Sequence, residues 1–248
     1  MKNPLSNARP AAMNSTGKPT LKIDWATHEA AQHACKTWHY SKVMPAGKLL
    51  RVGIWENERY IGCILFGRGA NNNIGSRYQL EQTQVCELVR VALTRHATTV
   101  TRIISIALRF LNSKCPGLRL IVSYADPEQG HHGGIYQGGN WLYAGQSQAQ
   151  RELVINGKPM HKRSAGARYG TASPEKIRAM TGAAVAYGEK LWKHTYLMPL
   201  DAAMREQIAP LAKPYPKRTT RTKEQDTGCP PVLDGVTPIR ALQNNEAA

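Results

Sequence analysis

Residues 85–124 read VCELVRVALTRHATTVTRIISIALRFLNSKCPGLRLIVSY and predict the order strand, helix, strand. Val85–Leu93 combines leucine with the strand-favouring residue valine, as expected of a buried strand. In residues 100–111 apolar side chains recur at helical spacing, and residues 118–124 return to an apolar strand pattern. Two strands joined through a helix pair in parallel by a right-handed crossover. The stretch therefore predicts an α/β or α+β fold with a mixed central sheet flanked by helices.

Shorter patterns on either side of this stretch predict further elements. Apolar residues at helical spacing follow an N-cap at Thr27 or Asp24 and predict a helix that ends in His39-Tyr40-Ser41-Lys42. The remaining predictions are a hairpin at 50–56 and 60–66, a long loop at 67–82, a strand at 152–156, a basic segment at 158–169, a short helix at 174–181 and a strand at 194–200.

Composition divides the chain into one folded domain and two tails. Residues 1–19 lack apolar periodicity and predict a mobile N-terminal arm, and residues 20–200 form the single folded domain. Residues 201–248 are basic and proline-rich, which predicts a largely disordered tail.

The chain has 33 lysines and arginines against 17 acidic residues, a formal net charge of +16. Such an excess favours a polyanionic partner, either nucleic acid or an anionic membrane surface. The longest apolar stretch, residues 100–111, is interrupted by Arg102 and Arg109, so no membrane span is expected. The first twenty residues lack the apolar region of a secretory signal, and we expect a soluble, cytoplasmic protein. Five cysteines without a C-x-x-C pair predict reduced core thiols.

Polar groups collect after the second predicted parallel strand, in Ser123-Tyr124-Ala125-Asp126-Pro127 and in residues 131–141. Ligands bind outside the carboxyl ends of such strands, so Asp126 stands where a catalytic carboxylate is expected. Asp before Pro also commonly starts a turn, and this simpler interpretation stays open. Tyr136 and Trp141 are likewise either site residues or core aromatics.

Two other groups of polar residues are candidates for chemistry. His39-Tyr40-Ser41-Lys42 offers an imidazole and a phenol for acid/base work or metal binding, although a histidine at a helix end is also a common cap. Glu87 and Arg90 lie in an apolar strand, where each charge needs either an ion-pair partner or a ligand.

Cations in two segments are candidates for contacts with DNA phosphates. Arg68 and Arg77 lie in the long loop, and Lys162, Arg163 and Arg168 lie in the basic segment. A solvated charged face is the alternative interpretation of both groups.

Five motifs, in this order and spacing, resemble the bacteriophage Mom family of DNA-modification proteins over roughly residues 21–200. They are His39-Tyr40-Ser41-Lys42 with Pro45 and Gly47-Lys48, Phe66-Gly67-Arg68-Gly69-Ala70, Glu87-Leu88-Val89-Arg90-Val91, Tyr124-Ala125-Asp126, and His132-Gly133-Gly134-Ile135-Tyr136-Gln137. The resemblance implies a fold similar to GCN5-related N-acetyltransferases. It also implies conversion of adenine in double-stranded DNA to N6-carbamoylmethyladenine, which protects phage DNA from host restriction.

The resemblance also implies roles for individual residues. Asp126 and Tyr136 are the expected acid/base pair, with Glu87 and His39 as further candidate bases. Iron is a possible cofactor, with His39, Tyr40 and Asp126 as candidate ligands of the types that iron accepts. The expected contacts to the unidentified donor come from Arg90, Ser105 and Ser123. A flipped adenine needs aromatic walls, for which the candidates are Trp38, Tyr40, Tyr136 and Trp141.

Two other functions are alternatives to adenine modification. A coenzyme A-dependent N-acetyltransferase uses the same strand and helix, but acetyltransferases normally carry glycines in the loop between them. Here that loop is Arg95-His96-Ala97-Thr98-Thr99, without glycine, which disfavours a coenzyme A thioester as the donor. A noncatalytic basic DNA-binding protein explains the charge but leaves the polar groups of residues 123–141 without a purpose.

Overall fold

The computed structural model describes residues 17–69 and 73–217. Its strands are β1 Leu21–Trp25, β2 Leu49–Glu56, β3 Arg59–Gly67, β4 Val85–Leu93, β5 Leu120–Ala125, β6 Leu142–Gln146, β7 Gln150–Ile155, β8 Lys158–Met160, β9 Val185–Leu191 and β10 His194–Pro199. Its α-helices are α1 His28–Trp38, α2 Val100–Lys114, α3 Gly134–Gln137, α4 Lys162–Tyr169, α5 Pro174–Thr181 and α6 Ala202–Ile208.

Seven strands form one mixed sheet in the order β1-β2-β3-β4-β5-β10-β6. The two central strands β4 and β5 are parallel, with Val85–Leu88 opposite residues 120–123, and the other neighbours are antiparallel. The predicted parallel pairing through a crossover helix, the N-terminal hairpin and the mixed α/β class are therefore confirmed.

Helices cover both faces of this sheet. On one face α2 buries Ile103, Ala107 and Leu111 against the strands. On the other face α1 buries Ala31, Ala34 and Cys35 against β3, and its N-cap is Thr27, whose side chain accepts a hydrogen bond from the Ala30 amide. The two strands that carry the predicted site thus lie at the centre of a three-layer structure.

Residues 147–193, here called the inserted lobe, form a second unit between β6 and β10. Their three strands make a separate sheet in the order β8-β7-β9. Helices α4 and α5 pack on this sheet around a small core that includes Leu153, Ala165 and Ile177. The expected strand at 152–156 and helix at 174–181 are found, but β9 was not predicted and the basic segment at 158–169 contains β8 and α4.

The fold continues beyond residue 200, where the sequence placed the end of the domain. Helix α6 buries Met204 and Ile208 against β5 and β10, and Asp201 caps the helix and pairs with Arg119 at 2.8 Å. The expected disordered tail was therefore placed too early. Most of the N-terminal arm, the remainder of the tail and Cys229 lie outside the described residues.

No helix within residues 17–69 and 73–217 has the length and apolar character needed to cross a membrane.

Candidate active site

A cleft opens where β4 and β5 separate. The two strands pair only as far as Leu88 and Ser123. Beyond that point Leu65 of β3 pairs with Arg90, and the next residue, Phe66, pairs with Leu88. Val89 therefore has no partner in β3 and forms a β-bulge. Because a bulge bends its strand, β4 turns away from β5 and a cleft of about 140 Å³ forms between them. Its polar lining includes His39, Tyr40, Arg90, Tyr124, His131 and Tyr136.

The end of α1 supplies an imidazole that stays neutral. His39 is buried, and its Nδ1 accepts a hydrogen bond from the Ser41 amide at 3.1 Å and lies 2.8 Å from Ser41 Oγ. Burial, followed by the nearby charge of Arg90, lowers the pKa of His39 to about 3. Since Nδ1 is an acceptor, the single ring proton of His39 lies on Nε2. His39 is therefore a weak base and a neutral hydrogen-bond donor.

Tyr40 lies beside this imidazole and is half exposed, at 51%. Its ring centroid is 4.2 Å from that of His39, and the ring of His131 approaches it edge-on at 5.3 Å. The three rings form an aromatic wall along one side of the cleft. Such a wall suits the stacking of a planar group.

Arg90 carries the positive charge of the cleft. It follows the bulge on β4, and its Nε is buried without a hydrogen-bond partner among the described residues. A buried guanidinium nitrogen that lacks a partner is costly, so a ligand is expected to supply the acceptor. A carboxylate, a phosphate or a polarised carbonyl oxygen has the required chemistry.

Tyr136 forms the floor of the cleft. Ser123 Oγ lies 3.0 Å from the Leu88 carbonyl and 2.7 Å from Tyr136 Oη. Since Ser123 has one hydroxyl proton and the carbonyl only accepts, Ser123 donates to Leu88 and Tyr136 donates to Ser123. Burial raises the pKa of Tyr136 to about 12. Tyr136 is thus a protonated, fixed hydroxyl at neutral pH.

The segment that carries Tyr136 is fixed by Tyr196 of β10. Tyr196 Oη donates to the His132 carbonyl at 2.5 Å and accepts from Gln137 Nε2 at 3.0 Å. Gly133 has φ of +85°, and a Cβ on it would collide with the Tyr196 ring. Only glycine fits at this position. The role of Tyr196 was not predicted, because no local pattern around it indicates this contact.

Asp126 is engaged elsewhere. Its Oδ1 accepts from the Glu128 amide at 3.1 Å, as the cap of a short turn, and its Oδ2 pairs with Lys193 Nζ at 3.0 Å. The described lining of the cleft includes Tyr136 but not Asp126. The structure therefore supports the simpler turn interpretation of Asp126 and does not bring it together with Tyr136 as an acid/base pair.

Four other predicted site residues do not line the cleft. Glu87 pairs in register with Val122 and lies on the opposite face of the sheet from Ser123 and Tyr136. Ser105 is exposed on α2 and lines a separate cleft of about 200 Å³ beside the end of β10. Trp141 is 1% exposed and packs on the Tyr136 ring at 4.9 Å, so it is a core aromatic and not a wall for a flipped base. Trp38 is half-buried at the end of α1, where its ring packs against those of His33 and Tyr60.

The loop between β4 and α2 already contains an anion. Glu56, at the end of β2, accepts hydrogen bonds from the Ala97 and Thr98 amides, both at 2.8 Å. Burial opposes the ionisation of Glu56, but the hydrogen bonds from Ala97 and Thr98 outweigh it and lower its pKa. Backbone amides of this loop are the groups with which acetyltransferases are expected to hold the coenzyme A pyrophosphate. Those two amides are occupied here, so the loop does not fit that cofactor.

The expected iron ligands are not assembled either. His39 and Tyr40 are neighbours, but both Asp126 oxygens are used by Glu128 and Lys193. Among the described residues, no three His, Cys, Asp or Glu side chains have the arrangement of a metal site. Iron therefore stays a prediction of the family resemblance.

The predicted phosphate contacts fall in two regions. Arg68 and Arg77 are exposed in the loop after β3. This loop begins beside the start of β4, because Gly67, the last residue of β3, pairs with Glu87. Lys162 and Arg168 are exposed on α4 in the inserted lobe, and Arg163 belongs to the same helix. No role was predicted for His131 or Glu56. The available signal for His131 was its place beside His132, and the signal for Glu56 was its place as a charged residue at the end of an apolar strand.

Comparison with known proteins gives a family, a relative and similar solved structures. Residues 20–217 match the model of the Mom protein family. The methylcarbamoylase Mom of Escherichia phage Mu is 25% identical over 209 residues, which cover 81% of this chain and 86% of the phage protein. Two solved structures are similar at lower identity. An acetyltransferase-like protein of Acinetobacter baylyi ADP1 is 12% identical, with a TM-score of 0.38 over 82% of this chain and 100% of that one. The AHL synthase LasI is 10% identical, with a TM-score of 0.37 over 81% and 100%.

Proposed function

The chain belongs to the Mom protein family, and from this premise we propose that it is a transferase that converts adenine in duplex DNA to N6-carbamoylmethyladenine. The observation that carries the proposal is the family match over residues 20–217, which contain every residue of the cleft. The phage Mu relative bears the name of this activity. The proposed role is protection of phage DNA from restriction in the host cytoplasm.

The proposed reaction bonds the adenine amine to a CH₂ carbon. The N6–C bond forms while the bond between that carbon and the leaving group of the donor breaks. The lone pair of N6 is delocalised into the purine ring, so N6 is a poor nucleophile and needs close positioning against an activated donor. Once bonded to the new carbon, N6 is cationic and loses its proton readily. Water at the open mouth of the cleft is a sufficient acceptor for this proton, since His39 Nε2 carries its own proton and Nδ1 accepts from the Ser41 amide.

The cleft supplies the groups that such a transfer needs. Arg90 offers a positive charge to the carbonyl oxygen or leaving group of the donor, and its unpartnered Nε favours this assignment. His39 Nε2–H is a neutral donor beside it, and the floor is held by Tyr136 and Ser123. Preorganised donors of this kind stabilise charge that develops in the transition state.

The adenine must leave the duplex to reach this cleft. Its amine is paired inside DNA, and extrusion of a base costs roughly a few kcal/mol. We assign the stacking wall to Tyr40 with its neighbours His39 and His131, since Tyr40 is exposed at the mouth, whereas neither Trp38 nor Trp141 lines the cleft. The proposed donor is not coenzyme A bound in the acetyltransferase manner, and the hydrogen bonds from the Ala97 and Thr98 amides to Glu56 support this choice.

Mass spectrometry of nucleosides tests the proposal. Plasmid DNA is taken from cells that express the protein and, in parallel, from cells that express Arg90→Gln at the same level. The expected result is a new adenosine species heavier by a carbamoylmethyl group, present with the unaltered protein and strongly reduced with the variant. Unmodified adenine with folded, expressed protein would exclude the proposal. Acetyl-coenzyme A turnover without DNA would then favour the acetyltransferase alternative.

A further inference from the structure

We propose that the inserted lobe binds the phosphate backbone of duplex DNA beside the cleft and so presents the duplex to it. The inference rests on the proposed function for its choice of partner. Its structural basis is the position, charge and surface of residues 147–193.

The position of the lobe follows from strand register. His194, the first residue of β10, faces Ala125 at the end of β5, and Gln146 at the end of β6 faces His194. The chain enters and leaves the lobe immediately beyond these residues. Ala125 lines the cleft, so the lobe begins beside the cleft, at the carboxyl end of β5.

Two contacts fix the base of the lobe at this edge. Ser147 and Lys193 exchange hydrogen bonds: the Ser147 amide donates to the Lys193 carbonyl at 2.7 Å, and the Lys193 amide donates to Ser147 Oγ at 3.0 Å. Lys193 Nζ pairs with Asp126, which follows the last cleft residue of β5. The lobe is therefore tied to the strand that forms one wall of the cleft.

The charge of the lobe favours a polyanion. Residues 150–191 contain eight lysines and arginines against three acidic residues. Arg151 and Lys190 face each other directly across β7 and β9, and neither forms an ion pair with a described residue. Like charges in opposed strand positions are destabilising in isolation. A phosphate between the two side chains removes this repulsion.

The surface of the lobe also carries exposed aromatic area. Tyr187 is 47% exposed, and Lys162 Nζ lies 5.3 Å above its ring. An exposed tyrosine beside cations is typical of a binding face rather than of a merely solvated one. A strand of six residues such as β7 spans about 20 Å, enough to reach several phosphates from the mouth of the cleft.

The salt dependence of DNA affinity tests this inference. The test variant is the full-length protein with both Arg151→Gln and Lys190→Gln. Its affinity for a fluorescein-labelled duplex of about 20 base pairs is measured at a series of salt concentrations. The matched control is Lys114→Gln, Arg205→Gln. This variant removes the same charge from exposed positions at the end of α2 and in α6. Both positions lie near the start of β5 and the end of β10, at the opposite ends of these strands from the lobe.

For the lobe variant we expect the slope of log affinity against log salt to become shallower by about 2, or about one unit for each lost phosphate contact. The control should keep the slope of the unaltered protein. A second lobe variant, Lys162→Gln with Arg168→Gln, should act in the same direction. It replaces the first if thermal melting shows that the first is unfolded.

Modified adenine in plasmid DNA separates the two proposals. Loss of modification in the lobe variants but not in the control, together with the slope change, supports the lobe as the DNA-binding unit. Equal slopes in lobe and control variants would overturn it, even if the unaltered protein modifies DNA. Absence of modification by the unaltered protein would instead refute the proposed function, and the binding slopes would still decide whether the lobe binds DNA.

Discussion

Two anion-binding regions lie close together at the carboxyl end of β4, and they differ in one respect. In the loop before α2, the amides of Ala97 and Thr98 are satisfied by Glu56 from the same chain. In the cleft, Arg90 Nε has no partner among the described residues. A region that is satisfied internally contributes to stability, whereas a region with an unsatisfied buried group is prepared for a ligand. On this basis the loop before α2 is a structural anion site and the cleft is the candidate functional one.

The largest expected effect is the loss of activity in Arg90→Gln. Removal of one preorganised charged donor commonly costs about 100-fold in rate, and modified adenine should fall by at least that factor. Stability should change little, because the variant removes a buried group without a partner at Nε. Nucleoside mass spectrometry and thermal melting measure the two effects. A destabilised variant that keeps its activity would reverse the assignment of the two regions.

The opposite pattern is expected for Glu56→Ala. Loss of two hydrogen bonds to a carboxylate should lower the free energy of unfolding by about 2–3 kcal/mol, as measured by urea denaturation. The emptied amides should also gain affinity for pyrophosphate, which should raise the melting temperature of this variant more than that of the unaltered protein. Equal stabilisation of both proteins would show that Glu56 does not occupy an anion site.

The third effect is the pH dependence that His39 contributes to stability. Its pKa is about 3 in the folded protein and near 6.5 when unfolded, so the unfolded state binds more protons between these values. The contribution is fully present above pH 6.5 and is lost progressively as the pH falls toward 3. His39→Gln should flatten the stability curve over this range in urea titrations. An unchanged curve would mean that His39 is not buried as described.

The smallest effect is expected for Asp126→Asn. The amide oxygen can still accept from Glu128, so the variant loses mainly a partly exposed ion pair with Lys193, worth less than about 1 kcal/mol. Modification should fall by less than about tenfold, far less than for Arg90→Gln. A loss as large as that of Arg90→Gln would restore Asp126 to a direct part in the chemistry.

Much of the fold was predictable because the decisive signals are local. The apolar periodicity of α2 and the strands on either side of it specify the parallel centre of the sheet. The elements that escaped prediction have weak patterns. Strand β9 alternates poorly and includes Gly188 and Glu189, and α4 lacks an apolar stripe, with Ala165 as its buried residue.

The candidate site was predictable in part for a related reason. His39, Arg90 and Tyr136 were identified because each is a polar or aromatic group in a suggestive local context, and the structure places all three around one cleft. Ser105 and Trp141 were also assigned to the site, but Ser105 lines a separate cleft and Trp141 is buried against Tyr136. These positions depend on how α2 and the segment after β5 pack, which no local pattern encodes. The contact of Glu56 with Thr98 spans 42 positions of the chain, and no local pattern encodes it.

The exchange of hydrogen bonds between Ser147 and Lys193 has a consequence for the evolution of such proteins. A unit whose entry and exit are adjacent, and which has its own small core, can be replaced by another of different length without rebuilding the sheet. Lobes of different length can thus be exchanged between relatives while Tyr136 and Ser123 at the floor of the cleft stay in place. A chimaera joined at residues 147 and 193 should therefore fold with its seven-stranded sheet unchanged.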